Sequence, residues 1–187
     1  MKKPKNYDSV QAKHFVVFNE LPPGGYVCAI KDAQEKKSKA GRDMLVLSLE
    51  VTEGEHAGYF SEIYAKDKRP NKQWPGGAVF YQLTDENSTP FFKGLIEAIE
   101  KSNAGYKFNF NEKTLVGKSI GAIFGREQYQ KEDGNLAFST KAFNLCETDV
   151  IRGGVYPPKD RLLYKGSSSR TFSDGRPVPL DDGDVPW

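Results

Sequence analysis

The 187-residue chain contains few of the residues that form metal sites and disulfide scaffolds, since it has only two cysteines and two histidines. Cys28 and Cys146 lie far apart, within apolar stretches and outside any Cys-x-x-Cys spacing, so we expect buried free thiols. His14 and His56 have no nearby cysteine or carboxylate pattern, so we expect both on the surface. The sequence therefore predicts no metal and no cofactor.

The chain also lacks long apolar runs. No segment approaches the roughly 20 apolar residues of a membrane span. The start, residues 1–5, is basic but has no apolar stretch behind it, so no signal peptide is predicted and we expect a cytoplasmic protein. The hydrophobic fraction of 37% and the mean hydropathy of −0.63 are low for a chain folded from end to end, which predicts a disordered portion.

Catalytic motifs are absent from the sequence as well. Gly166-Ser167-Ser168-Ser169 has no lysine in phosphate-loop spacing, and no G-x-S-x-G sequence occurs. The carboxylates are scattered without an acidic cluster, although this leaves a two-metal nuclease site open. We predict that the protein is not an enzyme.

The pattern of apolar residues predicts five strands and one helix. Strands are expected over 26–33, 44–52, 59–65, 118–129 and 135–145, with turns rich in glycine and charge between neighbours. A helix is expected over 90–103, where Thr89 can act as the cap and Pro90 fits the first helical position. This order predicts a five-stranded OB-fold barrel with its helix between strands three and four. An open α+β sheet with the same order is the alternative.

The composition changes after about residue 152. Of the 35 residues from 153 to 187, fourteen are glycine, proline or serine, and no hydrophobic periodicity remains. We therefore predict an N-terminal extension over 1–20, an OB-fold domain over 21–152 and a flexible tail over 153–187.

Basic residues alternate with aromatic residues in three stretches, although the net charge is only +2. Single-stranded nucleic acid needs this combination, because cations meet its phosphates and rings stack on its unpaired bases. The predicted binding residues are Lys36, Lys37, Lys39 and Arg42 at a hairpin tip; Tyr59, Phe60, Tyr64, Lys66, Lys68, Arg69, Lys72 and Trp74; and Arg126, Tyr129, Lys131 and Lys141 on the last two strands, where Phe138 is a further aromatic residue.

Other roles remain open for several of these residues. The tip lysines are equally consistent with a soluble loop, and Phe60 and Phe138 with the core. Trp74 lies in a polar loop rich in proline and glycine, where a core position is hard to justify, so we predict that it stacks on bases.

The chain ends in an acidic sequence that finishes on an aromatic ring. Asp181, Asp182 and Asp184 precede Val185, Pro186 and Trp187. An indole at the end of a flexible tail exposes apolar area unless a partner buries it, and a partner pocket would combine an apolar slot with Lys or Arg. We predict that these six residues bind a partner protein, with mere solubility of an acidic end as the alternative.

With these features the chain resembles bacterial and bacteriophage single-stranded-DNA-binding proteins. Bacterial members end in aspartates, an aliphatic residue, proline and phenylalanine; here Gly183 interrupts the acids and Trp187 stands where phenylalanine is usual. The body, from Asn6-Tyr7-Asp8 through residues 21–26, is more similar to the phage proteins. The resemblance implies sequence-independent protection of single strands in replication, recombination and repair, and recruitment of enzymes by the tail. Edge strands of a barrel could also pair between two chains, which leaves a homo-oligomer open.

Two other classes of function fit the same features. The domain could be a protein-interaction adaptor or helicase-loading accessory without strong DNA affinity. It could also be a recombination annealing factor or a nuclease.

Overall fold

The computed structural model describes residues 20–131 and 133–163. The protein is mostly β: five antiparallel strands form one sheet in the order β3-β2-β1-β4-β5. The strands are β1 (Gly24–Lys37), β2 (Asp43–Val51), β3 (Val79–Leu83), β4 (Ser119–Gln130) and β5 (Leu136–Cys146). The helices are α1 (Tyr59–Lys66), α2 (Thr89–Ser102) and α3 (Thr148–Arg152), and short 3₁₀ turns cover Gly76–Ala78, Glu86–Ser88 and Glu112–Leu115.

The long strand β1 lies at the centre of the sheet and pairs with both β2 and β4. Its first half pairs with β4, from Gly24 opposite Phe124 onward, and most of its length pairs with β2. The register with β2 shifts between Ile30 and Asp32. Such a bulge bends and twists a strand, which lets one strand serve both halves of a curved sheet. The predicted β1–β2 and β4–β5 hairpins are confirmed.

The predicted third strand is wrong. Residues 59–65 form α1, because Phe60 and Ile63 at helical spacing face the core while the carboxylate of Glu50 holds the first turn. That buried carboxylate accepts hydrogen bonds from the backbone N–H groups of Phe60 at 3.0 Å and Ser61 at 2.6 Å. The third strand is β3, which begins directly after the predicted loop 66–78.

The predicted helix between the third and fourth strands is confirmed as α2, shifted by one residue at its start. Thr89 is the first helical residue, with Ser88 as the cap, and the side chain of Asp85 accepts from the Ser88 N–H at 3.1 Å. Leu95 and Ile99 lie on the buried stripe of α2 and pack into the core beneath the sheet.

A closed OB barrel is not confirmed, because β3 and β5 are the edge strands and the sheet is open between them. The inward-facing side chains of β1, β2 and β4 form the core, and α2 lies across the opening. The 3₁₀ turn before β3 lies close to β5, where a Cβ added to Gly77 would clash with the carbonyl oxygen of Thr140. A cavity of about 410 Å³ remains between α2 and the ends of β3 and β5.

The folded domain extends past the predicted boundary at residue 152. Beyond α3 the chain returns to β4, where the Arg161 N–H donates to Arg126 O and the Gln128 N–H donates to Arg161 O, both at 2.8 Å. α3 and this return segment lie so close to the sheet that a Cβ on Gly25 or Gly121 would overlap their side chains. The tail predicted from residue 153 is therefore incorrect for 153–163, and its remainder lies outside the described residues.

No helix within the described ranges is long and apolar enough to cross a membrane. Residues 1–19 of the predicted N-terminal extension also lie outside the described part of the chain.

Candidate nucleic-acid interface

An aromatic and cationic cluster lies between α1 and the loop before β3. The rings of Tyr64 and Trp74 are 5.5 Å apart at a tilt of 37°, and the Lys72 ammonium lies 4.2 Å from the centre of the Tyr64 ring. The same ammonium donates to the Tyr64 carbonyl oxygen at 3.2 Å. These contacts hold three predicted binding residues together, and we call Tyr64, Lys72 and Trp74 the α1 cluster.

Trp74 has a structural role that the sequence did not indicate. Its indole N–H donates to the carbonyl oxygen of Leu49 at 3.0 Å, and its half-buried ring packs against the core. Pairing between β2 and β3 stops at Ser48 opposite Val79, so the indole takes the place of a strand partner at Leu49. The expectation that Trp74 is free of the core is therefore corrected, although part of the ring stays exposed.

Tyr59 and Phe60 belong to the core side of α1. Phe60 is buried and its ring stacks on Phe124 at 5.6 Å, so the ring is not accessible to a base. Of the two positions considered for Phe60, core and binding groove, the structure shows the core. Tyr59 is half-buried, and its hydroxyl oxygen accepts from the Leu21 N–H at 3.1 Å. Burial raises the pKa of Tyr59 above its usual value. The predicted binding role of Phe60 is wrong because its ring is buried in the core.

Exposed cations surround the α1 cluster. Lys66 pairs with Glu62 at 3.3 Å and Arg69 with Asp67 at 2.7 Å, whereas Lys68 is exposed and has no ion pair in the described part. Hydrogen bonds from Arg69 lower the pKa of Asp67 to about 2. Both partners of the Lys66–Glu62 pair are exposed, and such pairs contribute about 0–1 kcal/mol, so exchanging this carboxylate for a phosphate costs little.

The tip of the β1–β2 hairpin carries the first group of predicted residues. Lys36 and Lys39 are exposed, and Lys37 pairs with Asp43 at 2.7 Å. Arg42 instead braces the tip, since its guanidinium donates to Asp85 at 2.5 Å, a contact that lowers the pKa of that carboxyl. Lys36 and Lys39 are therefore the residues of this group whose exposed side chains can meet phosphates directly, whereas Lys37 and Arg42 are held by carboxylates.

The β4–β5 hairpin projects beyond β1, and its register divides the third group between two faces. Arg126 lies opposite Thr140 on the face of Phe138, with its guanidinium 5.2 Å from that half-buried ring. Tyr129 and Lys141 lie on the other face, where Lys141 pairs with Glu127, while the exposed Lys131 lies at the turn. Arg126 also pairs with Asp160 of the return segment at 2.6 Å.

The structure places the second predicted group beside the strand that carries part of the third group. The α1 cluster leads directly into Gly77, which lies against Thr140 of the β4–β5 hairpin. The β1–β2 tip is at the other end of β2, because Leu49 and Asp43 are six residues apart, or about 20 Å along a strand. The tip lysines therefore form a separate patch.

Sequence reasoning missed the outward face of β2 and β3. Met44 and Val46 alternate with the core residues Leu45 and Leu47, so they point to the opposite face. They form a second apolar cluster together with Leu83, Val79 and Tyr81. The signal was present, because residues 78–83 are a short aromatic and β-branched run between a Gly-Gly pair and Asp85.

Titratable groups do not gather into a metal site in the part of the chain that the structure describes, where no three His, Cys, Asp or Glu side chains lie together. Cys28 is buried and Cys146 half-buried, and burial raises the pKa of both thiols. We expected His56 to be a solvated surface residue, but its side chain is mostly buried and its ring packs edge-on against Tyr26 at 5.8 Å. His14 lies outside the described residues.

The six predicted partner-binding residues, Asp181, Asp182, Asp184, Val185, Pro186 and Trp187, also lie outside the described residues.

Comparison with known families gives one finding. Residues 5–73 match the family described as "Protein of unknown function (DUF669)". Within the described part, this match covers β1, β2, α1 and most of the following loop, and it ends just before Trp74. No curated protein matches the chain significantly.

Proposed function

We propose that the protein binds single-stranded DNA independently of sequence and protects it during phage or bacterial replication, recombination and repair. The observation that supports this most directly is the α1 cluster, in which Tyr64, Lys72 and Trp74 pack together among exposed cations. Lysine and arginine would track the phosphates, and the exposed parts of the rings would stack on bases for about 1–3 kcal/mol each.

The strand pairing supports an OB-like barrel as the finer description of the fold. β1 pairs with β2 and β4, α2 lies between β3 and β4 in the sequence, and the turn before the edge strand β3 meets the edge strand β5 at Gly77 and Thr140. Closing the sheet between β3 and β5 would produce the five-stranded barrel with the helix in its expected place. In such barrels the strands two and three and the adjoining loops bind oligonucleotides, which is the region of the α1 cluster.

The binding surface in this proposal has two parts. The first part combines the α1 cluster with Lys66, Lys68 and Arg69 and continues onto the β4–β5 hairpin. The second part is the patch of lysines at the β1–β2 tip. The strand would run along β2 between them, so that phosphate contacts at both ends hold a segment of several nucleotides.

A direct test compares fluorescein-labelled oligo-dT with a duplex of the same length by fluorescence anisotropy, over a series of salt concentrations. We expect tight binding to oligo-dT that weakens steeply with salt, and much weaker binding to the duplex. Equal affinity for the two would contradict the preference for single strands. If micromolar protein does not raise the anisotropy of oligo-dT, the adaptor alternative is favoured. If Mg²⁺ causes the labelled oligonucleotide to be degraded, a nuclease is favoured.

The acidic end is proposed as a tethered ligand for replication or recombination proteins. Removing residues 181–187 should leave affinity for oligo-dT unchanged or slightly higher, because carboxylates compete with phosphates for basic side chains. The neutral control replaces the three aspartates of this segment by asparagine and should have the same effect. A loss of DNA affinity in both variants would show that the segment contributes to DNA binding instead.

A further inference from the structure

The connection from α2 to β4 is a braced loop. Its first residue, Asn103, donates to the carbonyl oxygens of Ile99 at 2.7 Å and Ser119 at 2.8 Å, and its own side-chain oxygen accepts from the Ser119 N–H. Further along, the Tyr106 hydroxyl and the Thr114 hydroxyl are hydrogen-bonded at 2.8 Å. These bonds join the two ends and the middle of the loop, so its outer residues are held in fixed positions.

Phe110 is the outermost residue of this loop. Its side chain is 80% exposed, and it is the single non-glycine residue with a positive φ, 60°, in the part of the chain that the structure describes. Phenylalanine has no local hydrogen bond to favour that conformation, which glycine or asparagine adopts more readily. A strained backbone that exposes a large apolar ring is typical of residues kept for binding rather than for stability.

The ring of Phe110 ends a row of aromatic side chains. Phe108 lies 5.4 Å from Phe110, and Phe92 lies 6.4 Å from Phe108 on the core side. The outer face of the row is open, and a planar group placed there would continue it. An unpaired nucleobase has the right shape, since offset or tilted stacking is the favoured geometry of such rings.

The loop around this row is basic. Lys107, Lys113 and Lys118 outnumber its one acid, Glu112, and the Lys107 side chain is 84% exposed while it pairs with Glu100. Lys113 and Lys118 have no ion pair within the described residues, and the Lys118 ammonium lies over the Tyr106 ring at 4.5 Å. Positive charge beside open rings favours a polyanion with bases over an apolar protein surface.

The loop is also close to the α1 cluster. Gly117 donates to the Ile30 carbonyl oxygen at 2.8 Å, Ile30 pairs with Leu49, and Leu49 accepts from Trp74. The end of the loop at Gly117 and the indole's acceptor at Leu49 therefore lie on opposite sides of β1, about 10 Å apart, and Phe110 belongs to the same loop as Gly117.

We propose that Phe110 is a second base-stacking site, which binds an unpaired base of the strand that the α1 cluster holds and is flanked by Lys113 and Lys118. This inference depends on the proposed binding of single-stranded DNA and names a contact outside the surface described above.

The first test places a reporter at the site. In a Trp74→Phe, Trp187→Phe background, Phe110→Trp gives a protein with a single indole, and saturating dT30 should quench its fluorescence strongly. The matched control is Phe91→Trp in the same background, because Phe91 is similarly exposed, at 73%, but lines the apolar cavity beside α2. Quenching of the Phe110→Trp protein alone supports the proposal, and equal or absent quenching at both positions overturns it.

The second test separates binding from stability. Phe110→Asn should weaken dT30 binding about tenfold, with an unchanged or higher melting temperature, because asparagine tolerates positive φ. Phe91→Asn should change the affinity less than twofold. A lower melting temperature with unchanged affinity would assign Phe110 a structural role and overturn the stacking site. If the wild-type protein itself fails to bind dT30, the proposed function fails as well. If the Phe110→Trp reporter protein binds dT30 by anisotropy and its indole stays unquenched, this inference alone is defeated.

Discussion

Replacing Trp74 by phenylalanine tests whether the indole N–H holds the loop before β3 to the sheet. The substitution keeps an aromatic ring beside Tyr64 but removes the donor that lies 3.0 Å from Leu49 O. A neutral hydrogen bond contributes about 0.5–1.5 kcal/mol, and the Leu49 carbonyl has no β3 partner to replace the indole. We therefore expect unfolding free energy to fall by about 1 kcal/mol, or a melting temperature lower by about 2–4 °C.

The measurement is a urea denaturation curve monitored by circular dichroism, because the substitution removes a tryptophan and so changes the intrinsic fluorescence. Trp187→Phe is the matched control, since it makes the same chemical change outside the described domain and should leave the midpoint unchanged. If Trp74→Phe unfolds at the wild-type urea concentration, the bond to Leu49 does not stabilise the fold. In that case the packing of the ring against the core would be its remaining structural contribution.

Three further predictions concern other parts of the domain. Lys68→Ala should reduce the slope of log affinity for oligo-dT against log salt by about 0.7, the effect of one phosphate contact on a single strand, and an unchanged slope would remove Lys68 from the interface. Gly121→Val should lower the unfolding free energy in urea by about 1–3 kcal/mol, because a Cβ there already lies 2.6 Å from a side chain of α3, and wild-type stability would mean that α3 can move away freely. Arg69→Ala should raise the pKa of Asp67 from about 2 toward the usual range of carboxyl groups, as measured by an NMR titration. Because that pKa is depressed in the folded protein, its stabilising contribution is present above the ordinary carboxyl pKa and is lost as the pH falls toward 2.

The paired strands other than the third were predictable because each repeats a local signal. In β2, the leucines at 45, 47 and 49 alternate with residues of the other face, and in the β4–β5 turn Gly134 takes the positive φ of 82° that an Asp-Gly sequence favours. Such patterns depend on a few neighbouring residues, so no knowledge of tertiary contacts is needed to interpret them.

The third strand was not predictable in the same way. Residues 59–65 contain aromatic and β-branched side chains, which favour a strand, yet they form α1 because a distant carboxylate, Glu50, satisfies the first N–H groups of the helix. The same apolar residues, Phe60 and Ile63, fit a helical spacing of three as well as a strand. The real strand, β3, has only five residues and needs its pairing with β2 to be distinguished from a loop.

The candidate interface was predicted as residue types but not as a surface. Arg126 and Lys141 belong to neighbouring paired strands and look equivalent in the sequence, yet the β4–β5 register places them on opposite faces. One residue of register reverses the face of every side chain in a strand, and that register is fixed by the bulge between Ile123 and Phe124 together with the packing of Phe124 in the core. The face of Arg126 also carries Phe138, so only one part of the predicted group can share a surface with that ring.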